Sequence, residues 1–432
     1  MIYFGTDGIR GVAVTDLTQE VCFKCGNALA SLKNNAKIVV GTDTRTSGGF
    51  IFSSFASGAT LAGADIFFVG VIPTPAISYL AKKHKADFGV IITASHNPAE
   101  YNGIKIFDAN GEKIGGDLQI EIEKRFAKQK IAAPEQVGKI CFRQKYTEEY
   151  VDFVCSTSID LSGLKIVLDS ANGASGVAAA KIFKKLGAEV VKTNCSKNGE
   201  LINKNCGALF PQKLADVVLQ SKADCGFAFD GDADRVVLVD ETGKIANGDQ
   251  IVLFFAKMFK KFGLLKTGAV VGTIQTNIGI ERELEALGLK LLRTDVGDQF
   301  VCAELKKRSL QIGGEQAGHV ILFDLLCTGD GILNAVQICK FLKLSGGKIS
   351  EYIFDDLTPQ HSIDVFAQNK FEIVNSAKFR VAVSECEKLF GAEGRIVARA
   401  SGTEPKIRIM VESKNHELAQ KILAKLCDAA KQ

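Results

Sequence analysis

The 432-residue chain has no apolar run approaching the roughly 18 residues that a membrane span requires. A helical membrane protein is thereby excluded, and a membrane partner is not expected. The segment MIYFGTDGIRG lacks the basic stretch and apolar core of a secretory signal, so a cytoplasmic location is expected. Neither sign of charge dominates: 53 Lys plus Arg face 49 Asp plus Glu, interspersed rather than gathered into a stripe. That argues against a nucleic-acid partner. There is no low-complexity segment, and no second Cys-x-x-Cys completes a zinc site around Cys22 and Cys25. These two thiols lie within the amphipathic run from Leu17 to Leu32 and read as one helix face. Most of the remaining cysteines are isolated in apolar segments, as reduced core thiols are.

Hydrophobic residues make up 46% of the chain and charged residues 24%, the proportions of a globular protein. At about 150 residues per domain the length predicts three or four domains. One pattern recurs three times. Short apolar strands at Lys37 to Val40, Lys165 to Leu168 and Ala269 to Val271 each precede a helix-length segment. Each of those segments ends in a glycine phrase: Ala62-Gly63-Ala64, Leu186-Gly187-Ala188 and Leu287-Gly288-Leu289. Glycine there suits the left-handed residue that follows a helix, and the apolar residues after it begin the next strand, so each copy reads as a βαβ unit. The match extends to Ala86-Asp87-Phe88-Gly89-Val90-Ile91-Ile92 and Ala223-Asp224-Cys225-Gly226-Phe227-Ala228-Phe229, which are near copies. The β-branched run from Val90 to Ile92 reads as a strand of a parallel sheet. Beyond a linker from Asp355 to Pro359 the pattern changes to short strands alternating with helices. The expected fold is α/β, with three similar domains at 1–158, 159–248 and 249–357 and a smaller α+β domain at 358–432, set around one cleft.

Each near-copy strand feeds a different loop, at the carboxyl end where open α/β sheets place their ligands. The first feeds Thr93-Ala94-Ser95-His96-Asn97-Pro98, which puts a hydroxyl at the mouth of a buried strand; taken alone it is also an ordinary polar turn. The second feeds Asp230-Gly231-Asp232-Ala233-Asp234-Arg235, whose alternate carboxylates can converge on one hard cation of the Mg²⁺ type. An EF-hand reading fails there, because Arg235 stands where that loop needs glycine and Val236 to Val239 reads as a strand. In the third unit, Leu310 to Ile312 feeds Gly313-Gly314-Glu315-Gln316-Ala317-Gly318-His319, with acceptors and donors suited to sugar hydroxyls. The last domain offers Arg399-Ala400-Ser401-Gly402-Thr403-Glu404-Pro405, where a guanidinium fork, two hydroxyls and a glycine amide are phosphate-binding parts. Arg10, between glycines in Gly5-Thr6-Asp7-Gly8-Ile9-Arg10-Gly11, is an anion contact or part of a tight turn. Together these loops supply a hydroxyl nucleophile, a divalent cation, an anion clamp and a polyol reader. That set describes phosphoryl transfer on a sugar phosphate.

The motifs GTDGIRG, TASHNP followed by NGIK, DGDADR, VGD, GGEQAGH and SGTEPKIR follow one another along nearly the whole chain. On them it resembles the α-D-phosphohexomutase superfamily, and within it the bacterial branch that acts on glucosamine phosphates. The resemblance implies four domains around a central cleft, the first three alike and built on mixed sheets. It implies an isomerase that interconverts glucosamine 6-phosphate and glucosamine 1-phosphate through a 1,6-bisphosphate, feeding UDP-N-acetylglucosamine and cell-wall synthesis. Carried over by motif, Ser95 is the residue phosphorylated in the active enzyme. One Mg²⁺ is then held by Asp230, Asp232, Asp234 and an oxygen on Ser95, with Arg10 and Arg235 near the phosphate. His96 and Lys105 are the candidates for proton transfer. Glu315 and His319 meet sugar hydroxyls, and Arg399, Ser401, Gly402 and Thr403 hold the substrate's phosphate. Glucosamine 1,6-bisphosphate or glucose 1,6-bisphosphate is implied as primer, a small sugar phosphate as partner, and a homodimer is allowed. Three positions depart from the family pattern: Tyr101 replaces an acidic residue before NGIK, Gln299 an arginine after VGD, and Ala317 a serine of the third loop. Ala317 removes a hydroxyl expected to touch the sugar, whereas Gln316 beside it favours the glucosamine branch. The alternatives are a phosphomannomutase/phosphoglucomutase of the same superfamily, a phosphatase using Asp230 as nucleophile, and a non-catalytic sugar-phosphate sensor.

Overall fold

The strands that feed the three chemistry-bearing loops occupy the same place in three sheets. In the computed structural model, which describes residues 4–431 apart from 6, 354, 392, 393 and 402–404, the first sheet has seven strands. Their spatial order is Phe4–Gly5, Gly8–Val12, Tyr101–Phe107, Phe88–Ile92, Lys37–Thr42, Asp65–Val71 and Ile140–Phe142. The second sheet orders Ile245–Ala246, Val236–Asp240, Cys225–Phe229, Lys165–Asp169 and Glu189–Thr193. The third orders Lys290–Thr294, Ala269–Thr273, Ile312–Gly314 and Val320–Leu322.

In each sheet the loop-feeding strand lies parallel to the first strand of its βαβ unit and antiparallel to the strand that returns from the loop. The sheets are therefore mixed. The expectation of a parallel sheet around Val90 to Ile92 holds on one side only. The connection from Ile92 to Tyr101 is shorter than the roughly dozen residues a parallel crossover needs, so the chain returns antiparallel. Phe88–Ile92 and Cys225–Phe229 are buried at every residue, which is why they read as continuous apolar runs rather than alternating ones. Gly63 and Gly187 follow their helices with φ of 91° and 89°, a conformation that an L side chain disfavours. Cys22 and Cys25 share the buried face of the helix Gln19–Ser31, and all twelve cysteines are free thiols.

One apolar cluster runs through residues from Val39 to Ile353 and joins the first three sheets with their helices. The helix Tyr146–Ser156 stitches it together, its buried Tyr150 hydroxyl donating to Asp330 at 2.9 Å. The last sheet, in the order Gln360–Phe366, Lys406–Ser413, Gly394–Ala400, is antiparallel throughout and carries its own core. It docks on the third sheet's loops through polar contacts. Arg395 donates to the carbonyls of Ile274 and Thr276 at 2.9 Å and pairs with buried Glu412, which also accepts the Ile278 N–H at 2.8 Å. A polar seam of this kind leaves room for one domain to move against the other. Among the described residues no helix is long and apolar enough to cross a membrane.

Candidate active site

Ser95 stands three residues beyond the strand Phe88–Ile92, buried, with a φ of 51° that non-glycine residues rarely adopt. A scaffold from two other segments holds it there. The Ser95 N–H donates to Thr93 Oγ1 at 2.9 Å, and Thr93 in turn donates to Asp43 Oδ2 at 2.6 Å. Asp43 pairs with the buried guanidinium of Arg45 at 2.9 Å. Arg45 then donates to the carbonyls of Ser95 (3.0 Å), Asn97 (2.7 Å), Tyr101 (2.9 Å) and Pro98. Asn203, from the second domain, donates to the Ser95 and Asn97 carbonyls at 2.8 and 3.0 Å. The loop's carbonyls are thus turned back into the protein and the hydroxyl forward. Sequence reasoning passed over Asp43, Arg45 and Asn203. The first two had a signal, a charged pair at the carboxyl end of the strand Lys37–Thr42; Asn203 had none.

The Ser95 hydroxyl donates to Asp230 Oδ2 at 2.6 Å. Asp230, Asp232 and Asp234 are all buried and offer oxygens within 4.8 Å of one another. Thr74 donates to Asp232 Oδ2 at 2.6 Å, and Lys105 Nζ reaches Asp232 Oδ2 at 2.8 Å, Asp234 Oδ2 at 3.1 Å and Asp7 Oδ2 at 3.2 Å. Burial, then the charges of Asp234 and Asp232, raise the Asp230 carboxyl well above its ordinary range. Burial works against the Lys105 ammonium, but Asp232, Asp234 and Asp7 outweigh it and hold Lys105 protonated. Asp232 Oδ1 and Asp234 Oδ1 are buried without any hydrogen-bond donor, a cost of about 1–3 kcal/mol each unless another group meets them. Two orphaned carboxylate oxygens beside a third carboxylate fit a hard divalent cation. Gly231 keeps this loop against the serine loop, since a Cβ there would lie 2.6 Å from the Ser95 carbonyl oxygen. Gly231→Ala is expected to weaken any divalent-cation binding at the triad, read by isothermal titration, by about 10- to 100-fold.

Arg235 Nε lies 4.0 Å from Asp230 and 3.8 Å from Asp234, and Arg10 pairs with Asp7. His96 places Nδ1 3.4 Å from Ser95 Oγ. Burial, followed by the Arg235 and Arg10 charges, pushes its pKa down to about 4, so the ring is neutral at pH 7. His319, from the third loop, sets Nδ1 3.7 Å from Asp234 and Nε2 3.4 Å from Asp298, and its Nε2 accepts the Gly329 N–H at 3.0 Å. Burial opposes charge on His319, yet Asp298 and Asp234 raise its pKa. Glu315 accepts the Gly297 N–H at 2.9 Å, and burial raises its carboxyl. The N-terminal loop and the first three sheets' loops therefore meet at one place.

The fourth loop is held within its own domain. Arg399 faces Arg408 across the strand pair, and burial followed by the Arg408 charge lowers its pKa; two guanidiniums side by side suit an anion. Ser401 is buried, its N–H donating to the Lys406 carbonyl at 2.8 Å and its carbonyl accepting from Lys370 at 2.6 Å. Gly402 and Thr403 lie outside the described residues. Of the three departures, Tyr101 lends its carbonyl to Arg45, Gln299 is half-buried beside Asp298, and Ala317 is exposed.

A hydroxyl aimed into a buried carboxylate triad, flanked by two arginines and a neutral histidine, is chemically equipped for phosphoryl transfer. The comparisons with known proteins agree. The chain matches the phosphoglucomutase/phosphomannomutase alpha/beta/alpha domains I, II and III at residues 1–132, 144–243 and 247–359, and the C-terminal domain of the same family at 364–429. It is 42% identical over 437 residues to a phosphoglucosamine mutase of Thermoanaerobacter sp. (strain X514), covering 98% of each chain. Its fold resembles that of a phosphoglucomutase/phosphomannomutase family protein from Burkholderia thailandensis, with a TM-score of 0.86 at 24% identity over 100% of this chain and 97% of that one. It also resembles Aspergillus fumigatus N-acetylphosphoglucosamine mutase in complex with GlcNAc-6P and magnesium, with a TM-score of 0.69 at 17% identity over 99% and 95%. The chain belongs to the phosphohexomutases, and among them to the phosphoglucosamine mutase family. It is an isomerase of the mutase kind.

Proposed function

We propose that the protein interconverts glucosamine 6-phosphate and glucosamine 1-phosphate through a phosphorylated Ser95 and a 1,6-bisphosphate intermediate. The observation that carries this reading is the 2.6 Å contact between Ser95 Oγ and Asp230 Oδ2, which brings a hydroxyl from one domain onto the carboxylate triad of the next. Asp230, Asp232 and Asp234, with an oxygen on phosphorylated Ser95, would hold one Mg²⁺, which when bound neutralises charge on the phosphoryl group in transit. The Aspergillus fumigatus neighbour, solved with magnesium, supports that choice of cation.

The chain's own residues do the rest. Arg399, Ser401, Gly402 and Thr403 grip the substrate's existing phosphate, while Glu315 and His319 orient the sugar hydroxyls so that the free one faces Ser95. The sugar oxygen bonds to phosphorus as the Ser95 Oγ–P bond breaks, with Arg10 and Arg235 holding the non-bridging oxygens. His96 is placed to take the hydroxyl proton, and Lys105 keeps Asp232 and Asp234 paired. The bisphosphate then turns over, its other phosphate returns to Ser95, and the isomer leaves. His96, whose Nδ1 lies 3.4 Å from Ser95 Oγ, passes the sugar hydroxyl's proton to the Ser95 oxygen as its bond to phosphorus breaks, and in the second transfer the Ser95 hydroxyl's proton goes to the sugar oxygen that is freed. Four domains divided near residues 158, 248 and 357 would close over the intermediate and exclude water. The reading is of a cytoplasmic enzyme primed by glucosamine 1,6-bisphosphate or glucose 1,6-bisphosphate, and able to form a homodimer.

The test is turnover of glucosamine, mannose and glucose phosphates with Mg²⁺ and a bisphosphate primer. Preference for glucosamine 6-phosphate, and loss of turnover on chelating the metal with recovery on adding Mg²⁺ back, is the expected outcome. Preference for a neutral sugar gives the phosphomannomutase/phosphoglucomutase reading instead.

A further inference from the structure

Lys113 lies in none of the loops that drew attention to the site, yet it closes a ring of polar contacts around it. Asp7 meets Lys105 at 3.2 Å, Lys105 meets Asp234 at 3.1 Å, and Asp234 meets His319 at 3.7 Å. His319 meets Asp298 at 3.4 Å, Asp298 pairs with Lys113, and Lys113 returns to Asp7 at 2.6 Å. Three members come from the first sheet's domain, Asp234 from the second, and His319 and Asp298 from the third. The Lys113 and Asp298 side chains are each 13% exposed. Burial opposes the charge on Lys113, but Asp298 and Asp7 outweigh it and hold the ammonium protonated.

The first and third domains face each other here across a cleft of about 760 Å³, which Lys113 and Asp298 themselves line. A second pair, Lys306 with Glu112 at 2.7 Å, spans the same gap, but Lys306 is exposed. An exposed pair of that kind contributes little, whereas a largely enclosed, doubly paired ammonium fixes a distance. The ends it fixes are those that matter for the reaction. On one side is Asp7, tied through Lys105 to the carboxylate triad; on the other is Asp298, tied to His319 of the sugar-facing loop.

We infer that Lys113 is a positioning residue, whose bridge to Asp298 sets the separation between the third domain's sugar-facing loop and Ser95. The inference rests on the phosphoserine reading above. Removing the bridge leaves the triad and the phosphate-gripping loop untouched but lets the sugar sit out of line with the phosphoryl group, and small misalignments are costly to rate.

Lys113→Met should therefore lower kcat by about 10- to 100-fold while KM stays within about threefold of wild type. Lys113→Arg should restore most of the rate. The double variant Lys113→Met/Asp298→Asn should lose less than the sum of the two single losses, because both changes break the same Lys113–Asp298 bridge. Hydrogen exchange of the amides at 297–301 should quicken in Lys113→Met, and Glu112→Gln, which breaks only the exposed pair, should change neither rate nor exchange. If Lys113→Met does not fold, Asp298→Asn breaks the bridge from the other end and carries the exchange test. Unchanged exchange at 297–301, an unchanged kcat in a folded Lys113→Met, or losses that add in the double variant would overturn the inference. A wild-type protein without mutase turnover would overturn the phosphoserine reading instead, and the exchange comparison would still decide whether the bridge holds the loop.

Discussion

Ser95→Ala should abolish mutase turnover, lowering it on the order of 10³-fold or more, while the protein stays folded. The loop owes its shape to backbone groups: the Ser95 carbonyl is held by Arg45 and Asn203 and its N–H by Thr93. Deleting the hydroxyl removes only its contacts with Asp230 and His96 and leaves that framework in place. Glucosamine 6-phosphate should still bind, because the groups proposed to grip its phosphate are in the fourth domain. A calorimetric binding measurement beside the activity assay separates the two effects. A sensor protein would show binding unaffected by the substitution and no turnover in the wild type either. Turnover surviving in Ser95→Ala would remove the phosphoserine from the mechanism.

Arg45→Met should be the most destabilising single change near the site, costing roughly 3–5 kcal/mol in denaturant unfolding. The methionine fills the space of the side-chain stem but leaves Asp43 buried without its cation and takes the guanidinium donor from four carbonyls. Arg45→Lys should recover little, since a single ammonium cannot reproduce a planar fork that bonds in several directions. Adding Asp43→Asn to Arg45→Met should recover part of the loss, because the uncompensated charge goes with it. A loss below about 1 kcal/mol for Arg45→Met would mean that the pair behaves as a surface ion pair and that Asn203 and Thr93 suffice to hold the serine loop.

The parts of this site that were legible in the sequence are those whose chemistry is local. Alternate aspartates behind an apolar strand announce a cation site within five residues, and the near copy of that strand announces that Ser95 comes from an equivalent place. The repeat also carried the fold, because Phe88–Ile92 and Cys225–Phe229 are buried along their whole length and so keep the same apolar signature. What stayed hidden depends on separation. Arg45 meets the Ser95 carbonyl 50 residues away, Asn203 meets it from 108, and Lys113 meets Asp298 from 185. No periodicity reports such pairings. Asp7 lay in a motif that was read for Arg10, yet the structure gives Asp7 the larger part, since it pairs with Arg10, Lys105 and Lys113 at once. The reading of Val90 to Ile92 as a strand of a parallel sheet holds toward Lys37–Thr42 and not toward Tyr101–Phe107: a buried strand looks alike whichever way its neighbour runs, and only the short connection to Tyr101 tells them apart.

The central claim is that Ser95 carries the phosphoryl group between the two ends of the sugar. Mass spectrometry of the protein incubated with Mg²⁺ and glucose 1,6-bisphosphate, followed by peptide mapping, tests it most directly. The predicted result is one phosphoryl group on the peptide containing Ser95, stable to acid and passed on when glucosamine 6-phosphate is added. An unmodified protein, or a labile phosphate on Asp230, would contradict it.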